Sequence, residues 1–564
     1  MDDLLPNSVA PGSNAPQVRH FRQILTWPLH LVRAAGIPAD RTYWDLLERN
    51  ANNTGWQRFA DKLGTTEFPF EERHYKEFVV FLPHVQRFLY GEAHSSQSHT
   101  ANDPPGEAAR KVYRRNDVAA LRVVLRAGQP AILLQVRRVE LWFFDDVDVA
   151  FLVVEISADD LPFATAHDVI YRFGRAYPTG WNEQNGQGVH NACSTEWLGH
   201  DGQVLAASDA SQREHYLDFA RTHRAPTTSA HWTWLLQPLV LDASDGAGPI
   251  RFRQIEYHRM PLMAYLALDD PFALTRNDWI RLGLVATVHP DEPLSAGDPD
   301  VADFDARYCY DRYWAGTPGG PNTRFLCSGR ALIVVGKAES YFLDNNRGML
   351  AQFRHQYFIL FMISHFHRAA LLIFSDLLVD AIHDLDIRRT VSVRRFGQRI
   401  RACFESFLRF THRYWFHELS ERPHMQALNR MCAQHLGSET LFEEVKEELR
   451  DMSQYLDTEA ARRTNRLFMR LNIVTVFSII GTVATGFLGM NIFALAGEPT
   501  HQRLTYFALA LGGVFAILMV AVTMSRQLSE MMDVLSNDNL PLATRLRELL
   551  RWRRQDRVWP DGDN

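Results

Sequence analysis

The sequence predicts an α/β cytoplasmic domain followed by a long stalk helix and two C-terminal transmembrane helices. Short β-rich runs alternate with helical patterns as far as about residue 345, and helical patterns alone follow. No Pro or Gly interrupts the chain from Ser438 until Gly481. The stretches Leu471 to Met490 and Leu504 to Met524 contain no charged side chain, and each is long enough to cross about 30 Å of hydrocarbon as a helix.

Composition narrows the function classes. A chain of 564 residues exceeds one domain. Its formal charge of -6 provides no basic field, so nucleic acid is not an expected partner. The cysteines Cys193, Cys309, Cys327, Cys403 and Cys432 are scattered without CxxC spacing, which argues against a disulfide framework or a thiolate zinc site and for a reducing compartment. The opening "MDDLLPNSVAPGSNAPQ" lacks the basic and apolar regions of a secretory signal, so the N-terminus is expected to remain cytoplasmic.

Residues 1–345 read as the cytoplasmic α/β domain. Within it residues 1–90 look mainly helical, and the polar stretch 91–109 is expected to be a disordered insert. Strands are expected at "VAALRVVLR" (118), "AILLQVRRV" (131), "VDVAFLVVEI" (147), "RFRQIEYH" (251), "LGLVATVH" (282) and "ALIVVGK" (331). "GTPGGPN" at 316 lacks the Lys-Ser/Thr ending of a phosphate loop and reads as a surface turn.

Residues 346–437 read as a helical cytoplasmic region. The stretch Tyr357 to Val379 is apolar enough to imitate a span, but His365, His367, Arg368 and Asp376 would be costly at bilayer depth, so a buried soluble helix is expected. His365 and His367 are two apart, do not share a helix face, and fit core or surface histidines better than a zinc pair.

The stalk helix is expected over 438–470, with Gly437 ending the element before it, Ser438 as N-cap, and Glu439, Glu443 and Glu444 complementing the positive end of the helix dipole. The first transmembrane helix is placed at 471–490, an extracytoplasmic loop at 491–503 and the second transmembrane helix at 504–524. Arg462, Arg463, Arg466, Arg470 and Arg526 flank the spans on one side, whereas the connecting loop carries only Arg503, so both termini are expected in the cytoplasm of a plasma or inner membrane. In the tail, 525–564, Leu542, Leu546 and Leu549 share a face ringed by Arg545, Arg547, Arg551, Arg553 and Arg554. This basic amphipathic segment suits either membrane lipid or the stalk.

"TNRLFMRLNIVTVFSIIGTVATGFLGMN", which closes the penultimate apolar stretch on Gly489-Met490-Asn491, resembles the CorA family of magnesium transporters. The resemblance is specific over about 438–525. It implies a homopentamer in which first spans line one pore and second spans lie outside them. It also implies transport of Mg²⁺, with Co²⁺ and Ni²⁺ as further candidates, and cytoplasmic Mg²⁺ as a feedback regulator. Three features depart from the pattern: Leu488 replaces the usual aromatic residue, the loop has the single acid Glu498, and the chain continues about 40 residues past the second span.

Mg²⁺ dehydrates reluctantly, so a pore should bind it with its water retained. A ring of Asn491 amide carbonyls can accept hydrogen bonds from those waters, with Gly489 permitting the turn and Met490 packing behind. A 3.5-residue repeat then places Asn465, Asn472, Ile479 and Gly486 on the pore face, with Phe468, Thr475, Thr482 and Gly489 as the companion series. Phe468 and Ile479, with Leu471, could form constrictions that gate by dewetting, while the Thr hydroxyls face water or bond back to their own helix. Lower down, Glu444, Glu447 and Asp451 suit either a cation-concentrating vestibule or a solvated outer face. Phe442, Val445, Leu449, Met452 and Leu456 form a separate apolar stripe. Asp145, Asp146 and Asp148 are candidates for regulatory metal or for plain strand-turn acids.

Two rival functions remain open. One is a Zn²⁺ or proton-coupled member of the same superfamily, hinted at by His501 in the loop. The other is a membrane-tethered sensor or scaffold with a vestigial pore, suggested by the large N-terminal portion. An enzyme is not expected, because no nucleophile–base pair or metal-hydrolase spacing is present.

Overall fold

The computed structural model describes residues 16–34, 42–50, 54–59, 72–91, 108–255, 258–287, 294, 298–314, 322–383, 385–386, 390–492 and 499–523. The expected insert, the turn at 316 and the basic tail lie wholly or almost wholly outside these residues, and so do residues 493–498 of the connecting loop. The chain divides into two compact units, Met1–Leu449 and Arg450–Asn564.

In the first unit, among the described residues, fourteen strands join one sheet. They are β1 (Gln17–Arg33), β2 (Trp56–Arg58), β3 (Arg110–Arg115), β4 (Ala120–Val124), β5 (Ile132–Phe144), β6 (Val149–Pro162) and β7 (Ser194–Leu198). The rest are β8 (Val204–Ala207), β9 (Leu239–Leu241), β10 (Ile250–Gln254), β11 (Leu262–Leu268), β12 (Cys309–Tyr310), β13 (Thr323–Cys327) and β14 (Ala331–Lys337). The main path runs β12-β13-β14-β11-β1-β6-β5-β4-β7-β8. Most neighbours are antiparallel, whereas β11 and β14, and β9 and β10, are parallel.

β1 corrects the helical reading of residues 1–90. Val18, Phe21, Ile24, Leu25 and Leu29 recur at helix-like intervals, but every residue from Phe21 to Leu31 is buried, as befits a strand covered on both faces. Pro28, which would break a helix, falls between the register β1 shares with β11 (18–25) and the one it shares with β10 (29–33).

The expected strand at 282 is also overturned. A helix spans Arg276–Gly283, nucleated by a capping box in which the Thr275 hydroxyl accepts from the Asp278 N–H and the Asp278 carboxylate accepts from the Thr275 N–H. Local capping outweighs the β-branched composition that follows. The other expected strands correspond to β4, β5, β6, β10 and β14, and beyond β14 the described residues form helices and turns.

A core helix, Phe358–His383, lies within the first unit. The stretch Met349–His383 is apolar enough to cross a membrane, with mean hydropathy 1.6, yet 83% of its most apolar window is buried inside the protein. Phe366 packs on Phe144 of β5 at 4.6 Å, and Phe358 meets Trp142 edge-on at 5.5 Å. His365 and His367 are core histidines. Their Nε2 atoms lie 3.2 Å from the Gly329 carbonyl and 2.6 Å from the Tyr414 carbonyl, respectively.

A charged knot joins the sheet to the segment leading into this helix. Glu155 of β6 is fully buried and accepts from Arg22 of β1 at 2.8 Å and from Arg354 at 2.9 Å, and it pairs with Arg138 of β5 at 2.5 Å. Burial alone would raise its pKa, but the guanidinium charges of Arg138, Arg354 and Arg22 outweigh that and hold it at about 2.

Candidate pore helix

Gly437, at φ +64°, closes the helix Pro423–Leu436 by directing its N–H at the Ala433 and Gln434 carbonyls. One long helix then runs from Ser438 to Ile492. Ser438 is its first helical residue and not the expected cap: its hydroxyl is buried and without a partner among the described residues, while the Leu441 N–H bonds the Gly437 carbonyl at 3.1 Å. Gly437 alone serves as the end of one helix and the start of the next, which leaves no extended position for a capping serine.

The apolar stripe is covered by the helix's own chain. Val445 and Leu449 are each 1% exposed, and Phe442 stacks on Trp415 with ring centroids 4.5 Å apart. Glu444, Glu447 and Asp451 lie on exposed positions beside them. Lys446 pairs with Glu443 at 2.9 Å.

In the second unit the long helix packs against a second helix, Thr500–Thr523. Among the described residues of this segment Ile473 and Gly481 are buried, with Val474, Phe477, Thr485 and Gly489 half-buried on the same side. Gly481 is a point of close approach: a Cβ there would sit 2.8 Å from Val514 Cγ1. Small residues at such crossings let two apolar helices come together. Sequence reading treated Gly481 only as the end of the uninterrupted stalk; a glycine in the middle of an apolar helix was the available signal.

Asn472 precedes Gly481 by nine residues, about two and a half turns at roughly 3.6 residues per turn, and so lies on the opposite side of the helix. Asn465, Asn472, Ile479 and Gly486 are all exposed, as are Phe468, Thr475 and Thr482. The first series and, Gly489 excepted, the companion series therefore occupy the side that the second helix leaves open; Gly489 is half-buried on the covered side. Among the described residues the amides of Asn465 and Asn472 make no hydrogen bond. The hydroxyls of Thr475 and Thr482 donate to the carbonyls of Leu471 at 2.8 Å and Ser478 at 2.9 Å, so their protons are committed to their own helix and only oxygen lone pairs face outward.

The backbone does not break at Gly489-Met490-Asn491. It remains helical to Ile492, and the second helix begins at Thr500, which corrects the expected boundaries of the loop at 491 and 503 and the turn assigned to Gly489. In an apolar segment a helix is the local way to satisfy every backbone group, and Gly489 does not adopt positive φ. The side chains of Met490 and Asn491 lie outside the described residues.

Among the described residues, Asp146 and Asp148 belong to no cluster able to hold a metal. Asp146 accepts a hydrogen bond from the Tyr414 hydroxyl and lies 3.9 Å from Arg413. The Asp145 side chain is outside the described residues, and Asp148 sits at φ 52°. No group of three or more His, Cys, Asp or Glu side chains able to hold a metal occurs among the described residues.

Residues 370–525 match the family model described as CorA-like Mg2+ transporter protein. Comparison with curated proteins gives no match, and comparison with solved structures gives none.

Proposed function

With residues 370–525 carrying that match, the chain belongs to the CorA family, and on this premise we propose that it is a homopentameric, channel-like transporter passing hydrated Mg²⁺ across a membrane. The long helix supplies the pore from each of five copies, and Thr500–Thr523 is the outer span. Asn491 carbonyls take the water shell of the incoming ion, and Gly489 and Met490 hold that ring. Asn465, Phe468, Asn472, Thr475, Ile479, Thr482 and Gly486 line the passage. Co²⁺ and Ni²⁺ are the expected alternative ions, and cytoplasmic Mg²⁺ the expected regulator.

The observation that carries this reading is the exposed Asn472 amide opposite the covered face. Left against lipid it would stay desolvated without a partner at a cost of several kcal/mol, roughly 2–7 for an amide, whereas a water-filled axis satisfies it.

The test is Mg²⁺ uptake into liposomes holding the purified full chain, with Co²⁺, Ni²⁺ and Zn²⁺ in parallel. Asn491→Ala should cut Mg²⁺ uptake by at least about tenfold, the effect of losing roughly 1.4 kcal/mol of ion recognition. Equal uptake by the variant and the parent, or none by the parent, would overturn the reading.

A further inference from the structure

Away from the pore helix, the first unit holds a group of cations that its own acids do not neutralise. Arg175 and Arg259 face one another across an isolated antiparallel bridge, where like charges directly opposite are destabilising. Neighbouring bonds fix them there, from the Ala176 N–H to the His258 carbonyl at 2.7 Å and from the Met260 N–H to the Gly174 carbonyl at 2.9 Å. Arg330 stands nearby, on the turn before β14. Asp168, seven residues before Arg175 in the chain, is already shared by Arg126 and Arg172, each at 2.9 Å. Among the described residues no carboxylate pairs with Arg175, Arg259 or Arg330.

The arginines are partly stabilised by Tyr171, whose ring centroid lies 4.8 Å from the Arg175 guanidinium and 5.6 Å from that of Arg259. Arg175 is only 5% exposed, and the Arg259 Nε is buried without a partner. Burial, and then the Arg259 charge, push the Arg175 guanidinium down to about 10; burial followed by these same arginines also lowers His190 and His258. Beside burial, the arginines' positive charge acts on each of these groups.

Arg259 and Arg330 together line two neighbouring cavities, of about 270 and 500 Å³. The larger is walled by Tyr177, Trp181, Tyr216 and Leu217, with His258 beside the arginines. Its aromatic walls are already fixed. Trp181 donates to the Ala210 carbonyl at 2.8 Å, Tyr216 donates to Asp209 at 2.6 Å, and the two rings lie 5.7 Å apart. A cavity of this size exceeds what an inorganic anion fills and suits a small organic ligand.

We propose that this cavity binds a mononucleotide, its phosphate held by Arg259 and Arg330 and its base lodged against Trp181 and Tyr216. Guanidinium forks match phosphate oxygens, and flat aromatic walls suit a purine or pyrimidine. Arg175 Nε donates to the Tyr171 carbonyl at 3.2 Å and Arg259 to the Val285 carbonyl at 2.5 Å, but neither these neutral acceptors nor any carboxylate among the described residues cancels the charge, so an anion is the missing component, and the aromatic walls call for a planar body attached to it. This site is independent of ion passage, so it stands or falls separately.

The experiment is calorimetric titration of the purified full chain with AMP in buffer containing EDTA, alongside adenosine and inorganic phosphate. Arg330→Gln is the variant, because Arg330 is exposed and its loss leaves the core intact. AMP should bind more tightly than either fragment, and Arg330→Gln should weaken it by at least about tenfold. AMP that fails to bind, binding unaltered by Arg330→Gln, or adenosine or phosphate binding as tightly as AMP would each overturn the proposal.

Discussion

At the scale of single residues, the buried imidazoles set how the first unit responds to acid. Burial depresses His231 and His365 to about 3 and His367 to about 4, well below the ordinary value near 6.5. The unfolded chain therefore takes up protons between about pH 6.5 and 4 that the folded chain refuses, and stability falls as pH drops through that window. Above about pH 7 these residues contribute no slope. Glu155 acts in a lower window: its folded value of about 2 lies below the ordinary 4.5, so its stabilisation is present above 4.5 and lost as pH falls toward 2. His231, shifted by burial alone and packed between Trp197 and Trp232, isolates the effect. His231→Phe should flatten the loss of thermal stability between pH 6.5 and 5 by about 2 kcal/mol. Thermal unfolding of the full chain across that range checks this, and an unchanged slope would show that the imidazole is not desolvated as the structure has it.

At the scale of elements, the long helix is organised by two opposed faces. One carries Gly481, pressed on Val514, and the other carries the asparagines. Gly481→Leu should force the two helices apart at a cost of about 1–3 kcal/mol, lowering both thermal stability in detergent and Mg²⁺ uptake. Gly512→Ala is the control for stability, since nothing lies within 4 Å of a Cβ there. Equal melting temperatures for Gly481→Leu and the parent would mean that the contact is absent in the membrane. Much of this element was legible in the sequence, because a break-free run from Ser438 and a heptad of polar positions are local signals. The packing partner was not, because which face meets Val514 depends on the second helix. The same division explains β1. Its both-face burial comes from neighbours more than 100 residues away, such as Glu155 opposite Ile24, and only Pro28 announced locally that the segment was not a helix. At 282 the failure ran the other way: a strong local signal, Thr275 with Asp278, was passed over in favour of β composition.

At the scale of the whole molecule, the proposed fivefold arrangement makes a further demand on charge. Glu444, Glu447 and Asp451 are exposed on the stretch of helix whose apolar positions, Val445 and Leu449, are buried by its own chain. Repeated around an axis, these three positions would supply fifteen carboxylates and draw divalent cations by a long-range field. Such attraction is screened by salt, with a Debye length of about 10 Å at 0.1 M falling to about 3 Å at 1 M. Replacing Glu444, Glu447 and Asp451 together by Gln should therefore slow Mg²⁺ flux several-fold at low ionic strength and leave it nearly unchanged in 1 M salt, because steering affects encounter and not the recognition step proposed for Asn491. The dependence on salt is what separates this from a fold defect, which would depress flux at every ionic strength. Flux measured in liposomes from 10 mM to 1 M monovalent salt decides the matter. A variant that matches the parent throughout would place the three acids on an outer face and confine the ion's path to the asparagine-bearing segment above them.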